Sequence, residues 1–313
     1  MKENCYITIF TPTYNRCDLL QNLFESLINQ TVKNFEWIIV DDESTDNTNE
    51  LVNKWIIDDK ADFKIRYFKQ KHGGKHRAIN KAVNYASGKF FFIVDSDDTL
   101  TNNAIQLVEC WGKCVETRND IAAVSGLKVS HGISIGGNPI VQNDNWIEAG
   151  NLERKKYNLG GDKAEVYKTE ILRKYPFPEF ENEYFITEDV CWDAIAADGY
   201  KIRWYNEPIY ECEYLDDGLT KSGANGILGA TNNYKGYSLY ISQCLNVKKV
   251  WEWTGNLRQY NRVAKKMKIK WSKRAKDLNI SIIKYYFICL FIIPNMYVLK
   301  GGDKVWYIIK QLL

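Results

Sequence analysis

Short apolar runs alternate with stretches of helical periodicity through the first 130 residues of the chain. Runs of about five apolar residues, rich in β-branched and aromatic side chains, are typical of strands buried in a parallel sheet. Such runs occupy residues 37–40 and 90–94, and strands are predicted over 6–11, 36–40, 64–68, 90–94 and 121–129. The first strand is expected to end at Pro12, because proline cannot donate a ladder hydrogen bond.

Between these runs, apolar residues recur at intervals of three and four, which places them on one face of a helix. Leu20, Leu23 and Leu27 show this spacing in a helix that Asn15 is expected to open. Similar patterns predict a helix that bears residues 51–56 after N-cap candidates at 44–47, and another that follows the glycines at 73–74 and stops at Gly88. Further helices are predicted over 103–115 and 187–197. Strands that alternate with helices predict an α/β fold with a mostly parallel open sheet flanked by helices.

The pattern changes after residue 130. Residues 130–162 are rich in glycine and asparagine, which favours loops that face a substrate. Regular secondary structure is expected again over 164–172, and short strands are predicted at 201–205 and 208–214. Beyond Gly223 the pattern is mostly helical. We therefore expect a domain over 1–222, with halves at 1–129 and 130–222, and a helical extension over 223–313.

The composition is that of a folded globular protein, with 45% hydrophobic and 26% charged residues. A formal net charge of only +3 gives no reason to expect nucleic-acid binding. The eight cysteines include no CxxC pair, so we expect reduced thiols in a cytoplasmic protein. The charged start of the chain leads directly into the first strand, and no secretory signal is expected.

Two carboxylate clusters directly follow buried-strand patterns. Asp41 and Asp42 come after residues 37–40, and the run DSDD, residues 95–98, comes after residues 90–94. In an open α/β sheet, ligands bind just beyond the carboxyl ends of the strands. Carboxylates crowded at such a place repel each other unless a cation lies among them. The pattern therefore predicts a crevice that binds a divalent metal ion and a nucleotide.

Several segments, in this order, resemble glycosyltransferase family 2. They are TPTYNR at 11–16, QT at 30–31, FEWIIVDD at 35–42, STDNT at 44–48 and DSDD at 95–98. The last is similar to the DXD element of the family's GT-A fold. The resemblance implies a GT-A, Rossmann-like catalytic domain, with a nucleotide-sugar-binding half at 1–129 and an acceptor-side half at 130–222.

By this resemblance, the DSDD run would bind the metal ion and the nucleotide sugar. Asp97 and Asp98 would hold Mn²⁺ or Mg²⁺, hard cations that prefer oxygen ligands and stabilise a diphosphate leaving group. Asp95, with Ser96 beside it, would contact the ribose, although these roles could be exchanged. Acids after a strand can also simply cap the next turn. A second acid pair at another strand end favours the metal site.

The same resemblance places a base pocket after the first two strands. Asp42 would accept a hydrogen bond from N3–H of uracil, with Asp41 close by, because a carboxylate only accepts hydrogen bonds. Pro12 and Tyr14 would line this pocket, and packing of Tyr14 in the core is compatible with that role. A UDP-sugar is therefore the expected donor.

The segment HGGKHRA, residues 72–78, precedes a predicted helix. Glycines let the backbone approach a ligand, and a helix N-terminus attracts anions. Lys75 adds a positive charge and Asn80 lies about one turn further on, so both are candidates for contact with a diphosphate. His72 and His76 are four residues apart, but a hard metal on phosphate prefers carboxylates to such a pair.

An inverting transfer needs a base that takes the proton from the attacking acceptor hydroxyl. The family uses an acid-Asp pair here, which Glu188 and Asp189 match, with Asp189 as the base and Glu188 beside it or on the acceptor. The same acids could instead stabilise the first turn of a helix. Asp162, Trp146 and Trp192 are weaker acceptor-side candidates, and the two tryptophans suit the core equally well.

The C-terminal extension carries a separate signal. Residues 262–276 hold eight Lys/Arg and no acid, and residues 280–299 are nearly all apolar, interrupted by Lys284, Pro294 and Asn295. The charge and the proline disfavour a spanning helix. A polybasic segment beside an apolar in-plane element predicts peripheral contact with anionic membrane, and packing on protein is the alternative.

These features predict a metal-dependent inverting glycosyltransferase at the inner face of the cytoplasmic membrane. It would move a hexosyl or N-acetylhexosaminyl group from a nucleotide sugar to a glycan or lipid-linked glycan in surface polysaccharide synthesis, and residues 213–220 resemble family members of that type. One alternative is a non-catalytic nucleotide-sugar-binding subunit, which need not keep Asp97, Asp98 and Asp189 together. A nucleotidyltransferase would have a Gly-rich loop where this chain has PTYN.

Overall fold

The computed structural model describes residues 5–59, 61–139, 145–212 and 227–293, without the side chains of residues 227, 228, 250 and 251. The chain divides into two compact units. The first comprises Met1–Phe177 and Cys191–Leu215, and the second comprises Pro178–Val190 and Asp216–Leu313. The expected division between residues 222 and 223 falls in 213–226, outside the described residues.

In the described residues of the first unit, ten strands form one sheet. In chain order they are β1 Ile7–Thr13, β2 Phe35–Asp41, β3 Lys64–Lys69, β4 Phe90–Ile93, β5 Thr99–Leu100, β6 Ile121–Ser130, β7 Ile133–Ser134, β8 Trp146–Ala149, β9 Lys163–Lys168 and β10 Lys201–Glu211. Their order across the sheet is β3-β2-β1-β4-β9-β6-β10-β5, with β7 paired to β6 and β8 paired to β10.

One half of the sheet is parallel, as predicted, and the other half is mixed. β3, β2, β1 and β4 pair in parallel. β9 then lies antiparallel between β4 and β6, and β10 runs parallel to β6. Between β6 and β9 the described residues contain no α-helix that could return the chain for a parallel pairing. The predicted α/β class, with a sheet flanked by helices, is confirmed.

The helices predicted from periodicity up to residue 197 are present. They are α1 Cys17–Ile28, α2 Thr48–Asp58, α3 Lys75–Tyr85, α4 Ala104–Val115 and α6 Asp189–Ala197, to which the structure adds α5 Thr169–Lys174 and a 3₁₀ helix at Asn151–Tyr157. The first two residues of α6 belong to the second unit and the others to the first.

Three details differ from the sequence-based expectation. β1 continues through Pro12, because β4 pairs with β1 only as far as Phe10 and needs no hydrogen bond from residue 12. Asn15 does not open α1 but adopts a left-handed φ of 51°, which asparagine tolerates, and the helix begins two residues later. Residues 201–211 form the single strand β10, with irregular pairing between Trp204 and Pro208, rather than two strands.

The core of the first unit is built from the sheet and the apolar faces of its helices. α1 buries Leu20, Leu23 and Leu27 completely, which is the face that the spacing predicted. The rings of Trp37 on β2 and Trp55 on α2 stack with centroids 5.7 Å apart. Full burial of a large apolar side chain stabilises the folded state by about 1.5–3 kcal/mol. This packing fixes α1 and α2 against the sheet.

The described part of the second unit's C-terminal segment is helical and has its own core. Tyr234, Trp253 and Tyr260 are buried in it, and the hydroxyls of the two tyrosines lie 2.8 Å apart. The predicted helical extension is therefore confirmed. Its helices are α7 Ile227–Asn232, α8 Tyr234–Val247, α9 Val250–Lys266, α10 Trp271–Asp277 and α11 Ile282–Phe287, followed by a π-helical turn at Ile288–Ile292.

Two of the sequence signals fall outside the described residues. They are the polysaccharide-synthesis motif at 213–220 and the end of the apolar stretch at 294–299. Within the described helices, none is both long and apolar enough to cross a bilayer. All eight cysteines lie in described positions, and all of them are free thiols.

Candidate active site

The loops after β1, β2 and β3 are joined to one another at the carboxyl edge of the sheet. The backbone N–H of Asp42 donates to the carbonyl of Thr13 at 2.9 Å, and that of Gln70 donates to the carbonyl of Asp41 at 2.9 Å. β2 and β4 both pair with β1, so the two acid clusters follow strands on either side of it. The topology thus agrees with the prediction that both clusters lie at one edge.

Asp42 anchors the glycine turn that leads into α3. Its carboxylate is 6% exposed and accepts hydrogen bonds from the backbone N–H groups of Gly73 and Gly74, at 2.9 and 2.8 Å. Gln70 Nε2 and His72 Nδ1 lie 2.7 and 3.0 Å from the same carboxylate. Gly74 has a φ of 90°, which other residues rarely adopt. The carboxylate of Asp42 is therefore already bonded to groups of the protein, and its contact with uracil stays a prediction.

Asp41 is fully buried. One carboxylate oxygen accepts the backbone N–H of Ser44 at 2.7 Å, and the other accepts the hydroxyl of Tyr67. Both oxygens are thus bonded within the protein, and Asp41 stabilises the turn between β2 and α2. A direct contact with a ligand would require this fully buried side chain to become accessible. Pro12, on the neighbouring strand, is partly buried.

Tyr14 is 46% exposed, and its ring lies against the imidazole of His72, with centroids 4.8 Å apart and planes inclined by 38°. The adjacent Asn15 accepts the backbone N–H of Thr45 at 2.8 Å and donates its own N–H to Ser44 Oγ at 2.9 Å. The loop after β1 is therefore tied to the loop after β2. The two accessible rings offer a surface on which a planar base can stack.

Lys75 connects the two acid clusters. It is the first residue of α3, directly after the turn that Asp42 holds, and its Nζ lies 2.7 Å from Asp95 Oδ1. Burial alone would raise the pKa of Asp95, but the charges of Lys75 and Lys128 lower it. The two paired side chains are 26% and 32% exposed, so water screens the pair. A bound diphosphate could therefore compete with Asp95 for Lys75.

Negative charge is crowded in the DSDD loop. Burial raises the pKa of Asp98 to about 6, and the charge of Asp95 adds to the shift. The same two causes raise the pKa of Asp97. The hydroxyl of the fully buried Tyr210 donates to Asp98 Oδ2 at 2.8 Å and accepts the backbone N–H of Asp95 at 2.9 Å. A cation bound at this loop would relieve the repulsion.

Asp97 and Asp98 fit a divalent cation by their donor chemistry, since Mg²⁺ and Mn²⁺ prefer carboxylate oxygens. Among the described residues, however, no group of three or more His, Cys, Asp or Glu side chains is arranged to hold a metal ion by itself. The two aspartates would therefore supply part of the coordination. Water and the oxygens of a bound diphosphate would complete it, as is usual for Mg²⁺ at phosphate sites.

Lys128 and Tyr210 belong to this site, although sequence reasoning did not single them out. They are register partners on β6 and β10, and Lys128 Nζ lies 4.1 Å from the centroid of the Tyr210 ring. Burial lowers the pKa of Lys128, but the negative charges around it, that of Asp95 foremost, together raise that pKa above its ordinary value. The available sequence signal was a lysine within an otherwise apolar strand pattern.

Replacing Tyr210 by phenylalanine is expected to lower the free energy of unfolding by about 1–3 kcal/mol, because the buried carboxylate of Asp98 and the partly buried N–H of Asp95 lose their hydroxyl partner. Urea denaturation measures this. Tyr85→Phe is the matched control, since the Tyr85 ring is 48% exposed and stacks on Phe68. The control should change stability by less than about 0.5 kcal/mol. Equal stability of the two variants would contradict the role given to Tyr210.

Asn80 and Ser96 were also predicted to contact the nucleotide sugar. Asn80 Nδ2 donates to the carbonyl of Phe177 at 2.9 Å, and its Oδ1 accepts the backbone N–H of Phe177 at 2.8 Å. The side-chain amide of Asn80 therefore fixes the backbone at Phe177, where the first segment of this unit ends. Ser96 is 8% exposed within the DSDD loop. Their contacts with a ligand stay predictions.

The weaker acceptor-side candidates are spread over the first unit. Trp192 is 5% exposed and stacks on Tyr167 with centroids 4.2 Å apart, which makes it a core residue. Trp146 is partly buried, with the guanidinium of Arg203 lying 4.1 Å from its ring centroid. Asp162 is exposed. These positions favour the core interpretation for Trp192.

Glu188 and Asp189 belong to the second unit, and Asp189 is the first residue of α6. Both side chains are partly exposed. Asp189 lines a pocket of ≈ 260 Å³ within this unit. The helix dipole stabilises a carboxylate in the first turn of a helix, which is the alternative role predicted for these two acids. A position on a pocket wall also gives it the access to a ligand hydroxyl that a general base requires.

Comparison with known sequences gives one family match and several partial relatives. Residues 8–173 match the family model described as "Glycosyl transferase family 2". A chondroitin synthase of Pasteurella multocida is 37% identical over 101 residues, which are 32% of this chain and 10% of that protein. The matched segments span between 10% and 33% of the curated relatives compared. Each match thus covers no more than about a third of the relative's own length.

Solved structures share the fold. Staphylococcus aureus TarS 1–349 in complex with UDP has a TM-score of 0.60 at 20% identity, over 87% of this chain and 80% of that chain. The mannosyltransferase PcManGT of Pyrobaculum calidifontis, in complex with GDP-Man and Mn²⁺, has a TM-score of 0.51 at 19% identity, over 77% and 64% of the two chains.

Proposed function

The chain belongs to glycosyltransferase family 2, and we propose that it moves a hexosyl or N-acetylhexosaminyl group from a UDP-sugar to a glycan or lipid-linked glycan, with inversion. One observation carries the proposal. Lys75 follows the turn that Asp42 holds and pairs with Asp95 of the DSDD loop. A single short segment thus links the predicted base contact to the predicted ribose and metal contacts, as one extended nucleotide sugar requires.

The donor side combines a stacking surface with charges of both signs. Tyr14 and His72 would receive the uracil ring, and Lys75 would contact the diphosphate. Asp97 and Asp98 would hold Mn²⁺ or Mg²⁺, which when bound neutralises charge on the departing diphosphate. TarS in complex with UDP and PcManGT in complex with GDP-Man and Mn²⁺ support a nucleotide donor and a metal ion for this fold.

The proton transfer is assigned to Asp189. Its carboxylate takes the proton of the acceptor hydroxyl, and the acceptor oxygen forms the new bond to the anomeric carbon. The bond from that carbon to the diphosphate breaks, and the diphosphate keeps the electron pair. Attack opposite to the leaving group inverts the anomeric centre. Glu188 would lie beside the base or contact the acceptor.

A panel of nucleotide sugars tests the proposal. The full chain is incubated with Mn²⁺ and UDP-glucose, UDP-galactose, UDP-N-acetylglucosamine, UDP-N-acetylgalactosamine or GDP-mannose, and release of nucleoside diphosphate is measured. Turnover of one UDP-sugar is expected. UDP binding without turnover of any member would instead favour the non-catalytic subunit.

The chondroitin synthase relatives support a role in surface polysaccharide synthesis.

The second unit also carries an exposed apolar face next to a basic helix. Ile283, Leu290 and Phe291 are 79%, 56% and 57% exposed. Trp271 of α10 stacks on Tyr286 of α11, with centroids 4.9 Å apart, so the basic and apolar segments are packed together. In residues 262–276, every Lys and Arg except Arg274 is exposed. We propose that this face contacts anionic lipid at the inner face of the cytoplasmic membrane.

Replacing Ile283 by glutamate is expected to lower partitioning onto phosphatidylglycerol vesicles by about tenfold, because it places a negative charge on the lipid-facing surface. Cosedimentation measures the bound fraction. Ile57→Glu is the matched control, since Ile57 is also 79% exposed but lies on α2 of the first unit. Loss of partitioning in both variants, or in neither, would contradict this membrane face.

A further inference from the structure

A pocket of ≈ 260 Å³ lies within the second unit, beside the predicted base Asp189. It is smaller than the roughly 300–1,000 Å³ of pockets that take drug-sized ligands, so it suits a single small ring. Its polar and aromatic walls come from α8 and α9 as well as from the start of α6. They include the side chains of Tyr237, Tyr240, Asn256 and Gln259.

The segment that carries Asp189 is fixed to α8 by hydrogen bonds. The buried carboxylate of Glu183 accepts the backbone N–H groups of Lys235 and Gly236, at 2.7 and 2.8 Å. Asn233 Oδ1 accepts the backbone N–H groups of residues 184 and 185, at 2.8 and 2.9 Å. A Cβ on Gly236 would lie only 3.0 Å from Ile186 Cγ1, so the two segments are in close contact. This side of the pocket is therefore preformed.

The opposite wall is also held in place. The hydroxyl of Tyr237 donates to the carbonyl of Asn256 at 3.2 Å, and Asn256 Nδ2 donates to the hydroxyl of Tyr240 at 3.2 Å. All three side chains, and that of Gln259, are partly exposed and can contact a ligand. Aromatic rings pack against the C–H face of a pyranose, while amides and a carboxylate exchange hydrogen bonds with its hydroxyls.

The charge of the pocket argues for a neutral ligand. Asp189 places a carboxylate on the wall, which repels a diphosphate or another anion. Glu183 already occupies the backbone N–H groups at the start of α8, which would otherwise attract an anion. The pocket is therefore unsuited to the nucleotide part of a donor. An uncharged sugar ring is the ligand class that its size, rings and amides fit.

We propose that this pocket binds the acceptor pyranose and presents one of its hydroxyls to Asp189. The inference rests on the proposed function but concerns residues beyond the matched family segment, 8–173. Tyr237 and Tyr240 contact the sugar face, and Asn256 and Gln259 bind its hydroxyls. The proton of the presented hydroxyl passes to the Asp189 carboxylate as the acceptor oxygen bonds to the anomeric carbon. The helical unit thus selects the acceptor.

Direct binding of pyranosides tests the pocket without any donor. Saturation-transfer NMR on the full chain is carried out with the methyl glycosides of glucose, galactose, N-acetylglucosamine and N-acetylgalactosamine. At least one is expected to bind, and Tyr240→Ala and Gln259→Ala should each weaken its binding by about tenfold. Tyr240→Phe keeps the ring and should retain binding. Tyr85→Ala, which removes a half-exposed tyrosine of the first unit, is the control.

The outcomes separate the two proposals when Mn²⁺-dependent UDP binding is measured on the same samples. If no glycoside binds, or if Tyr240→Ala and Gln259→Ala bind like the wild type, the acceptor pocket is refuted. If a glycoside binds as expected but no nucleotide sugar binds or is turned over, the proposed function fails. A folded Gln259→Ala variant keeps the test valid if Tyr240→Ala does not fold.

Discussion

Replacing Asp189 by asparagine is expected to lower the rate of sugar transfer by about 10²–10⁴-fold, the usual contribution of a general base. The amide has nearly the same shape but cannot take the proton of the acceptor hydroxyl. Mn²⁺-dependent UDP binding should persist, because Asp189 belongs to the second unit and the predicted donor contacts to the first. Initial rates of transfer and calorimetric titration with UDP measure the two effects separately.

Glu181→Gln is the matched control for this variant. Glu181 is an exposed carboxylate of the same segment, and its replacement should leave transfer at the wild-type rate. Glu188→Gln should give an effect between the two, since Glu188 is assigned a place beside the base. Transfer at the wild-type rate in Asp189→Asn would show that the base lies elsewhere.

Replacing Asp97 by alanine is expected to weaken Mn²⁺-dependent UDP binding by about 100-fold or more. Loss of a group in the outer shell of a metal typically costs about 10–100-fold in affinity, and loss of a direct ligand should cost at least as much. Titration of UDP in the presence of Mn²⁺ measures the change. Unlike Asp189→Asn, this variant should fail at donor binding itself.

Removal of the metal ion with EDTA shows whether Asp97→Ala binds UDP weakly because it has lost the metal ion or for another reason. With EDTA present, the wild type and Asp97→Ala should bind UDP equally weakly, because their difference resides in the metal ion. Asp62→Ala, which removes an exposed carboxylate between α2 and β3, is the control and should bind UDP like the wild type. An undiminished UDP affinity of Asp97→Ala in Mn²⁺ would remove the metal assignment.

The two variants address different parts of the molecule. The family match covers residues 8–173, which contain the acid clusters, Lys75 and Lys128. Asp189 and the pocket in the second unit lie beyond that segment. Membership of the family therefore supports the donor side most directly. The acceptor side depends on residues of this chain that must be tested individually.

Much of the first unit could be predicted from the sequence because its signals are local. The spacing of Leu20, Leu23 and Leu27 gives the buried face of α1 without reference to any other element. The five strands predicted in the first 130 residues are strands of the sheet, and the acids that follow two of them lie after strands that both pair with β1. Alternation of strand and helix was enough to predict the α/β class.

The roles of individual carboxylates were less accessible to sequence reasoning. Asp41 and Asp42 are both predicted at the ligand, and these contacts stay predictions. The structure adds that Asp41 is fully buried and that Asp42 holds the turn of Gly73 and Gly74. An acid after a strand has the same sequence signature whether it binds a ligand or a backbone N–H. Only the positions of the neighbouring loops distinguish the two.

The sequence by itself predicted β1 to β4, β6, the region of β10, most helices, the placing of two acid clusters at strand ends and the candidate pair of Glu188 and Asp189, but not the short strands β7 and β8, which lie in the segment expected to form loops. The tertiary structure decided that β9 lies antiparallel between β4 and β6 and that Tyr210 bonds to Asp95 across 115 positions of the chain. It also decided that α8 and α9 form a pocket with Asp189. Periodicity reports which face of an element is buried, whereas contacts between distant segments depend on how strands pair and loops close.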